Sequence, residues 1–247
     1  MAPLFSIITP SYNAGAKLEE SFTSVMEQAE GLFDYWIIDG ASSDSTRDWL
    51  AGRNQPGFHW ISEKDSGVYD AMNKGINLSE GRFLLFLGAG DQLLPGSLQQ
   101  MADFIQRNPS PRPRFIYGDV RDLQTGQPYT FGHYSKIRVC RENICHQGIF
   151  YERPIFDLLG QYELRYPIMA DWAYNLKCFG SSQIRKLHFP SMVADFEGGG
   201  LCTHTGDAAF ARDRRQLIAE RIGPFHAFRY RMETALMWRL NRIGLIK

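Results

Sequence analysis

The chain reads as an α/β protein, with a mostly parallel central sheet flanked by helices and a helical extension at its C-terminal end. Three observations carry this expectation. Short apolar runs alternate with amphipathic helical stretches over the first part of the chain. Polar and glycine residues gather directly after the apolar runs. From Asp207 onward the pattern is helical, with one break at Gly223-Pro224.

Each element follows in order. Phe5–Thr9 is an apolar run closed by Pro10 and Asn13-Ala-Gly15, which predicts a strand and then a loop. Leu18, Phe22, Val25 and Met26 recur at helical spacing. Tyr35–Ile38 predicts a second buried strand ending at Asp39-Gly40, and Ser42–Thr46 supplies helix-capping residues ahead of Trp49 and Leu50. His59–Ser62 is a third strand, Val68–Leu78 a helix, and Arg82–Leu87 a fully buried fourth strand. Uninterrupted apolar strands joined by helices imply a parallel sheet covered on both faces. Such sheets bind ligands at the carboxyl ends of their strands, which here carry Thr9–Asn13, Asp39–Asp44, Glu63–Gly67 and Gly88–Asp91. The middle is less regular. Pro109, Pro111 and Pro113 precede a strand at Phe115–Tyr117 that ends in Gly118-Asp119, Asn143–Phe150 suggests a strand edge, and Met169–Phe179 a helix. Gly198–Gly200 reads as a turn.

Composition narrows the function classes. The chain has 247 residues, with 27 basic and 27 acidic side chains, 44% hydrophobic residues and 22% charged ones. That is an ordinary globular composition, and zero net charge argues against a general nucleic-acid binder. The four cysteines (Cys140, Cys145, Cys178, Cys202) are too few for a disulfide framework and lack metal-cluster spacing, so free thiols are expected. The N-terminal run lacks a basic leader and ends at Pro10, and no stretch approaches the ~18–20 apolar residues that span a bilayer. A cytoplasmic location is the expectation.

Three blocks carry a resemblance. Ile7–Asn13, Ile37–Thr46 and Glu63–Gly75 (Glu-Lys-Asp-Ser-Gly-Val-Tyr-Asp-Ala-Met-Asn-Lys-Gly) are similar, in order and spacing, to the opening of the family 2 glycosyltransferases with the GT-A (Rossmann-like) fold. The third block resembles the bacterial polysaccharide-forming members, the colanic acid, O-antigen and capsule transferases. The likeness covers roughly residues 4–200. It implies a donor that is a nucleotide-diphosphate sugar and an acceptor that is a polysaccharide or a lipid-linked saccharide. It also implies a role in bacterial surface glycan synthesis. The domain division that follows is a transferase domain over 1–206, with a nucleotide-binding half to about 95 and an acceptor half from 96, then an extension over 207–247.

The resemblance assigns residues, and their chemistry fits. Thr9, Pro10, Tyr12 and Asn13 match the first nucleotide-binding loop, where Tyr12 is available to stack on a base; a structural turn is the alternative. Asp39 matches the base-binding aspartate, or else caps a helix. Lys64, Asp65 and Gly67 stand at the third strand end, with Asp65 placed for ribose or base and Gly67 permitting close approach. Lys74 faces either phosphate or solvent. Gly88-Ala89-Gly90-Asp91 occupies the position of the metal-binding DXD motif, with Ala89 and Gly90 where the first aspartate and the middle residue stand. Asp91 is thus the expected ligand of a divalent metal, Mn2+ or Mg2+, that would hold the diphosphate.

Inversion at the anomeric carbon needs a base for the acceptor hydroxyl, and a carboxylate serves. Met169-Ala170-Asp171-Trp172 resembles the family's catalytic acidic motif, which makes Asp171 the base; its bland reading is a first-turn aspartate on the helix dipole. Trp172 suits sugar stacking or a core position, and His146 suits the acceptor side or a structural role. Two other classes remain in view. A dinucleotide-dependent oxidoreductase lacks its GxGxxG after the first strand. A catalytically silent nucleotide-sugar or partner binder is compatible with the thinned DXD.

The net charge conceals a division. Arg212–Lys247 holds nine basic and three acidic residues, which leaves the rest of the chain acidic. Phe225, Phe228, Met232, Leu236, Leu240 and Ile243 share a helical face flanked by Arg229, Arg231, Arg239 and Arg242, with Trp238 nearby. Such a helix either lies on an anionic membrane surface, peripheral to the inner face of the cytoplasmic membrane, or packs its apolar side on the domain.

Overall fold

A computed structural model of the chain describes residues 2–130, 132–198 and 206–242. The first half runs β1 (Phe5–Ser11), α1 (Lys17–Met26), β2 (Phe33–Asp39), α2 (Thr46–Ala51), β3 (Phe58–Ser62), α3 (Val68–Leu78) and β4 (Phe83–Phe86). A two-residue β5 (Gln92–Leu93) and α4 (Ser97–Arg107) follow. The second half holds β6 (Arg114–Asp122), β7 (Pro128–Thr130), α5 (Lys136–Arg141), a 3-10 turn at His146–Gly148, β8 (Ile149–Glu152) and α6 (Pro154–Leu159). Then come α7 (Ala170–Gly180), β9 (Arg185–Phe196), α8 (Ala208–Arg221) and α9 (Pro224–Arg242).

Among the described residues all strands join one sheet in the order β3-β2-β1-β4-β8-β6-β9-β5, with β7 beside β6. β1 to β4 pair in parallel, as their covered, apolar sequences imply. β8 then enters antiparallel to both β4 and β6, so β6 and its parallel neighbour β9 point the same way as β1. One edge of the sheet therefore collects the carboxyl ends of β1, β2, β3, β4, β6 and β9, together with the turn that leads into β8.

Strand alternation divides the core. Ile7, Tyr35, Ile37, Phe83, Leu85, Ile116 and Phe150 face α1, α2 and α4. Ile8, Ile38, Leu84, Phe86, Phe115 and Tyr151 face α3, α6, α7 and α8. Each fully buried side chain of this kind stabilises the fold by about 1.5–3 kcal/mol. At the opposite edge of the sheet Arg114 and Arg82 converge on buried Glu152, with Arg114 Nε 3.0 Å and Arg82 Nη2 2.8 Å from its carboxylate oxygens.

β9 is the element the sequence conceals. Its Pro190 lies at a register shift, where Gly118 faces Phe189 but Asp119 faces Met192. Such a bulge tolerates a residue without an N–H.

Candidate active site

Short loops at the carboxyl edge are stitched to one another. Asp39 ends β2 fully buried, its carboxylate accepting from the backbone N–H of Ser42 (3.0 Å), the Ser42 hydroxyl and the Ser62 hydroxyl (2.6 Å). It thus shapes the loop after β2 rather than presenting a free carboxylate. Asn13 has φ +49°, donates its N–H to Ser42 Oγ (2.7 Å), and accepts from the Ser43 N–H at Oδ1 (2.9 Å). Ala41, at φ +61°, holds a left-handed conformation that costs an alanine about 1–2 kcal/mol. Tyr12 stands exposed at the rim. Thr9 does not: it is buried, and its hydroxyl bonds Tyr35 OH at 3.0 Å on the α1 side of the sheet. Pro10 is buried beside it.

After β3, Asp65 is half-buried and accepts from the Gly67 N–H (2.9 Å). Gly67, at φ +120°, opens α3. Lys64 is exposed. Lys74 reaches back from α3 to the Lys64 carbonyl (2.7 Å) and Glu63 (2.8 Å), which brace the loop and occupy the amine expected to face phosphate.

Two buried carboxylates dominate the edge. Asp91 accepts from the Gly88 N–H (3.0 Å), the Glu197 N–H (2.8 Å) and the side-chain amide of Gln147 (2.7 Å). Burial raises its pKa above the ordinary value, and those hydrogen bonds together with His146 offset only part of the rise. Asp171, in the first turn of α7, accepts from Tyr69 OH (2.9 Å) and the Trp172 N–H (2.8 Å) at Oδ1, and from the Asn143 amide (2.7 Å) at Oδ2. A carboxylate has about four acceptor positions. The remaining one, on Oδ2, faces His146, whose Nδ1 is 3.6 Å away.

The 3-10 turn links the two. His146 neighbours Asp171 while Gln147, one residue on, bonds Asp91. The turn sits tight against β6: a Cβ on Gly148 would fall 2.7 Å from the Gly118 carbonyl oxygen. Asn143 is fixed in turn by Asn175 (2.8 Å), itself bonded to Tyr151 OH (2.9 Å). Trp172 gives its N–H to the Val139 carbonyl (2.7 Å), and the Arg214 guanidinium lies 3.8 Å over its ring. This joins α7 to α8 and covers the ring that was a candidate sugar platform.

Among the described residues no three His, Cys, Asp or Glu side chains gather as ligands. Asp91 is bonded to three protein donors, and the carboxylate nearest Gly90, that of Glu197, is neutralised by Lys17 at 2.9 Å. Gly90 is required there, since its φ is +100° and a Cβ would lie 2.3 Å from Glu197 Oε2. Sequence reading missed Glu197, Lys17, Tyr69 and Asn143 as parts of this edge. Tyr69 stands inside the third block, but nothing local tied it to Asp171. Cys140 and Cys178 are free thiols, the Cys145 thiol donates to Gln147 Oε1 (2.7 Å), and Cys202 lies outside the described residues.

Comparison with known proteins agrees with this layout. The profile named Glycosyl transferase family 2 matches residues 6–156. A PGL/p-HBAD biosynthesis glycosyltransferase of Mycobacterium tuberculosis is 38% identical over 229 residues, which are 90% of this chain and 87% of that protein. The crystal structure of S. aureus TarS superposes with a TM-score of 0.72 at 19% identity, covering 89% of this chain and 39% of TarS. A mannosyltransferase from Pyrobaculum calidifontis, in complex with GDP-Man and Mn2+, gives 0.61 at 15% identity over all of this chain and 82% of that one. At such identities the structural likenesses establish a shared GT-A-type fold.

Proposed function

This chain belongs to glycosyl transferase family 2, and we propose that it transfers a sugar, with inversion, from a nucleotide-diphosphate sugar to a polysaccharide or lipid-linked saccharide of the bacterial surface. The observation that carries this reading is the meeting of Asp171, His146, Gln147 and Asp91 at the carboxyl edge of the sheet. In this reading the acceptor hydroxyl lies between His146 and Asp171 Oδ2, at the fourth acceptor position of the carboxylate. Its oxygen attacks the anomeric carbon, the bond from that carbon to the diphosphate breaks, and the nucleoside diphosphate leaves with the electron pair. Asp171 takes the hydroxyl proton. Tyr69 and Asn143 hold the carboxylate in place. In the same reading the exposed Tyr12 stacks on the base, and Asn13, Asp65 and Gly67, with the loop that Asp39 shapes, surround the nucleoside. Within the family the diphosphate is commonly held by a bound metal; Asp91, as bonded here, is not assigned to one.

The assay is release of nucleoside diphosphate and thermal shift with UDP-, GDP- and dTDP-sugars, each with and without Mn2+. One donor should raise the melting temperature and be turned over. The bonds already made by Asp91 favour one competing reading, a silent nucleotide-sugar binder. That reading gives a thermal shift with no nucleotide release under any condition.

A further inference from the structure

The two C-terminal helices present a surface that the transferase chemistry does not use. α9 packs inward through Ala227, half-buried Tyr230 and Glu233, which pairs with Arg141 of α5 at 2.8 Å. Its other side points out: Phe225 is 70% exposed, Phe228 56%, Met232 52% and Leu236 56%. These are four of the apolar-face residues; the Leu240 side chain and Ile243 lie outside the described part of the chain. Of the two alternatives for this face, packing on the domain does not hold for Phe225, Phe228, Met232 and Leu236. A run of exposed large apolar side chains on one helix marks a contact surface.

A second observation indicates what covers it. Between α8 and α9 lies a groove of about 760 Å³, lined by Arg212, Arg214, Arg215 and Arg231 with Phe228 and Tyr230, and no acidic residue lines it. Arg212 pairs with its neighbour Asp213. Arg215 and Arg231 make no ion pair among the described residues, and Arg231 lies 5.6 Å from the Phe228 ring centre. Arg214 is anchored, its Nη2 bonded to the Cys140 carbonyl (2.7 Å) and its plane on Trp172 and Tyr230. Apolar side chains beside arginines whose charge is uncompensated match the composition of a bilayer surface, acyl chains beneath phosphate.

We propose that the outer face of α9 and the arginine groove beside it form a docking surface for an anionic phospholipid bilayer. Phe225, Phe228, Met232 and Leu236 enter the headgroup boundary, while Arg215 and Arg231 meet lipid phosphates. Through Arg214 and Trp172 this surface adjoins α7, the helix whose first turn carries Asp171. The surface stands on its own geometry and does not require the transferase reading.

The test is co-sedimentation of the full chain with phosphatidylcholine vesicles, with and without roughly one third phosphatidylglycerol. The protein should pellet with the anionic vesicles, less so as salt rises. Arg215→Gln and Arg231→Gln should each weaken binding about fivefold. Phe225→Asp with Phe228→Asp should abolish it. These side chains are solvent-exposed, so melting temperature and donor thermal shift should stay at wild-type values in every variant. Equal pelleting with neutral vesicles, no pelleting, or full binding by the Phe225/Phe228 double variant would each overturn the proposal. So would a stabilisation by inorganic phosphate without vesicle binding, which would make the groove a site for a free anion. Vesicle binding without any donor shift would sink the transferase reading alone.

Discussion

The two edges of the sheet both bury carboxylates, and Glu152 at one and Asp91 at the other are held in opposite ways. At the amino edge of the parallel strands Glu152 is almost inaccessible, yet its pKa falls below the ordinary 4.5: burial would raise it, and hydrogen bonds from Arg114 and Arg82 outweigh burial. At the carboxyl edge Asp91 is as deeply buried, but its three donors are neutral amides and its pKa rises. Asp39 and Asp171 likewise meet hydroxyls and amides rather than arginines. One edge spends its cations to close the structure. The other holds Asp39, Asp91 and Asp171 on hydroxyls and amides, and keeps its cation pairs, Arg121 with buried Asp195 and Lys17 with Glu197, for neighbouring carboxylates.

Substitutions can break this contrast. Glu152→Ala strands Arg114 without its partner and should cost about 3–5 kcal/mol, measured by urea unfolding. Asp91→Asn removes a charge that burial disfavours but turns an amide N–H toward one donor. Its cost should be smaller, about 1–3 kcal/mol, and a cost equal to that of Glu152→Ala would erase the distinction. Tyr69→Phe takes one hydrogen bond from Asp171. It should destabilise by about 1–2 kcal/mol and lower kcat, while donor affinity stays unchanged. Lys74→Ala, at a partly exposed brace, should cost under about 1 kcal/mol.

Acid titration sharpens the same contrast because the signs differ. Glu152, with a lowered pKa, contributes stability above about pH 4.5 that is lost as pH falls through its folded value. Asp91, with a raised pKa, contributes in the reverse sense: its share is present below the ordinary 3.8 and lost as pH rises through its folded value. Glu152→Gln should therefore flatten the acid limb of the stability curve, whereas Asp91→Asn should raise stability near neutrality relative to its effect in acid.

The sequence conveyed the carboxyl edge of β1 to β4 because each loop there follows its own strand, and polar residues after an apolar run are a local signal. The bounds of α3 coincide with Val68–Leu78 as read. Other features depend on contacts far apart in the chain. Tyr69 and Asp171 are 102 residues apart, and β8 enters the sheet antiparallel between β4 and β6 with no local sign of its direction. Thr9 lies in the first block, yet strand alternation turns its hydroxyl toward Tyr35. The face of α9 that packs inward was equally undetermined, since that choice rests on Glu233 finding Arg141 and on Tyr230 finding Arg214.

The central claim is that Asp171 removes the acceptor proton, and Asp171→Asn tests it. Single-turnover transfer of a labelled sugar, beside donor binding to the same protein, separates chemistry from affinity. Transfer should fall by about 10²–10⁴-fold with donor affinity near that of the wild type. Transfer at a rate close to wild type in Asp171→Asn would contradict the assignment.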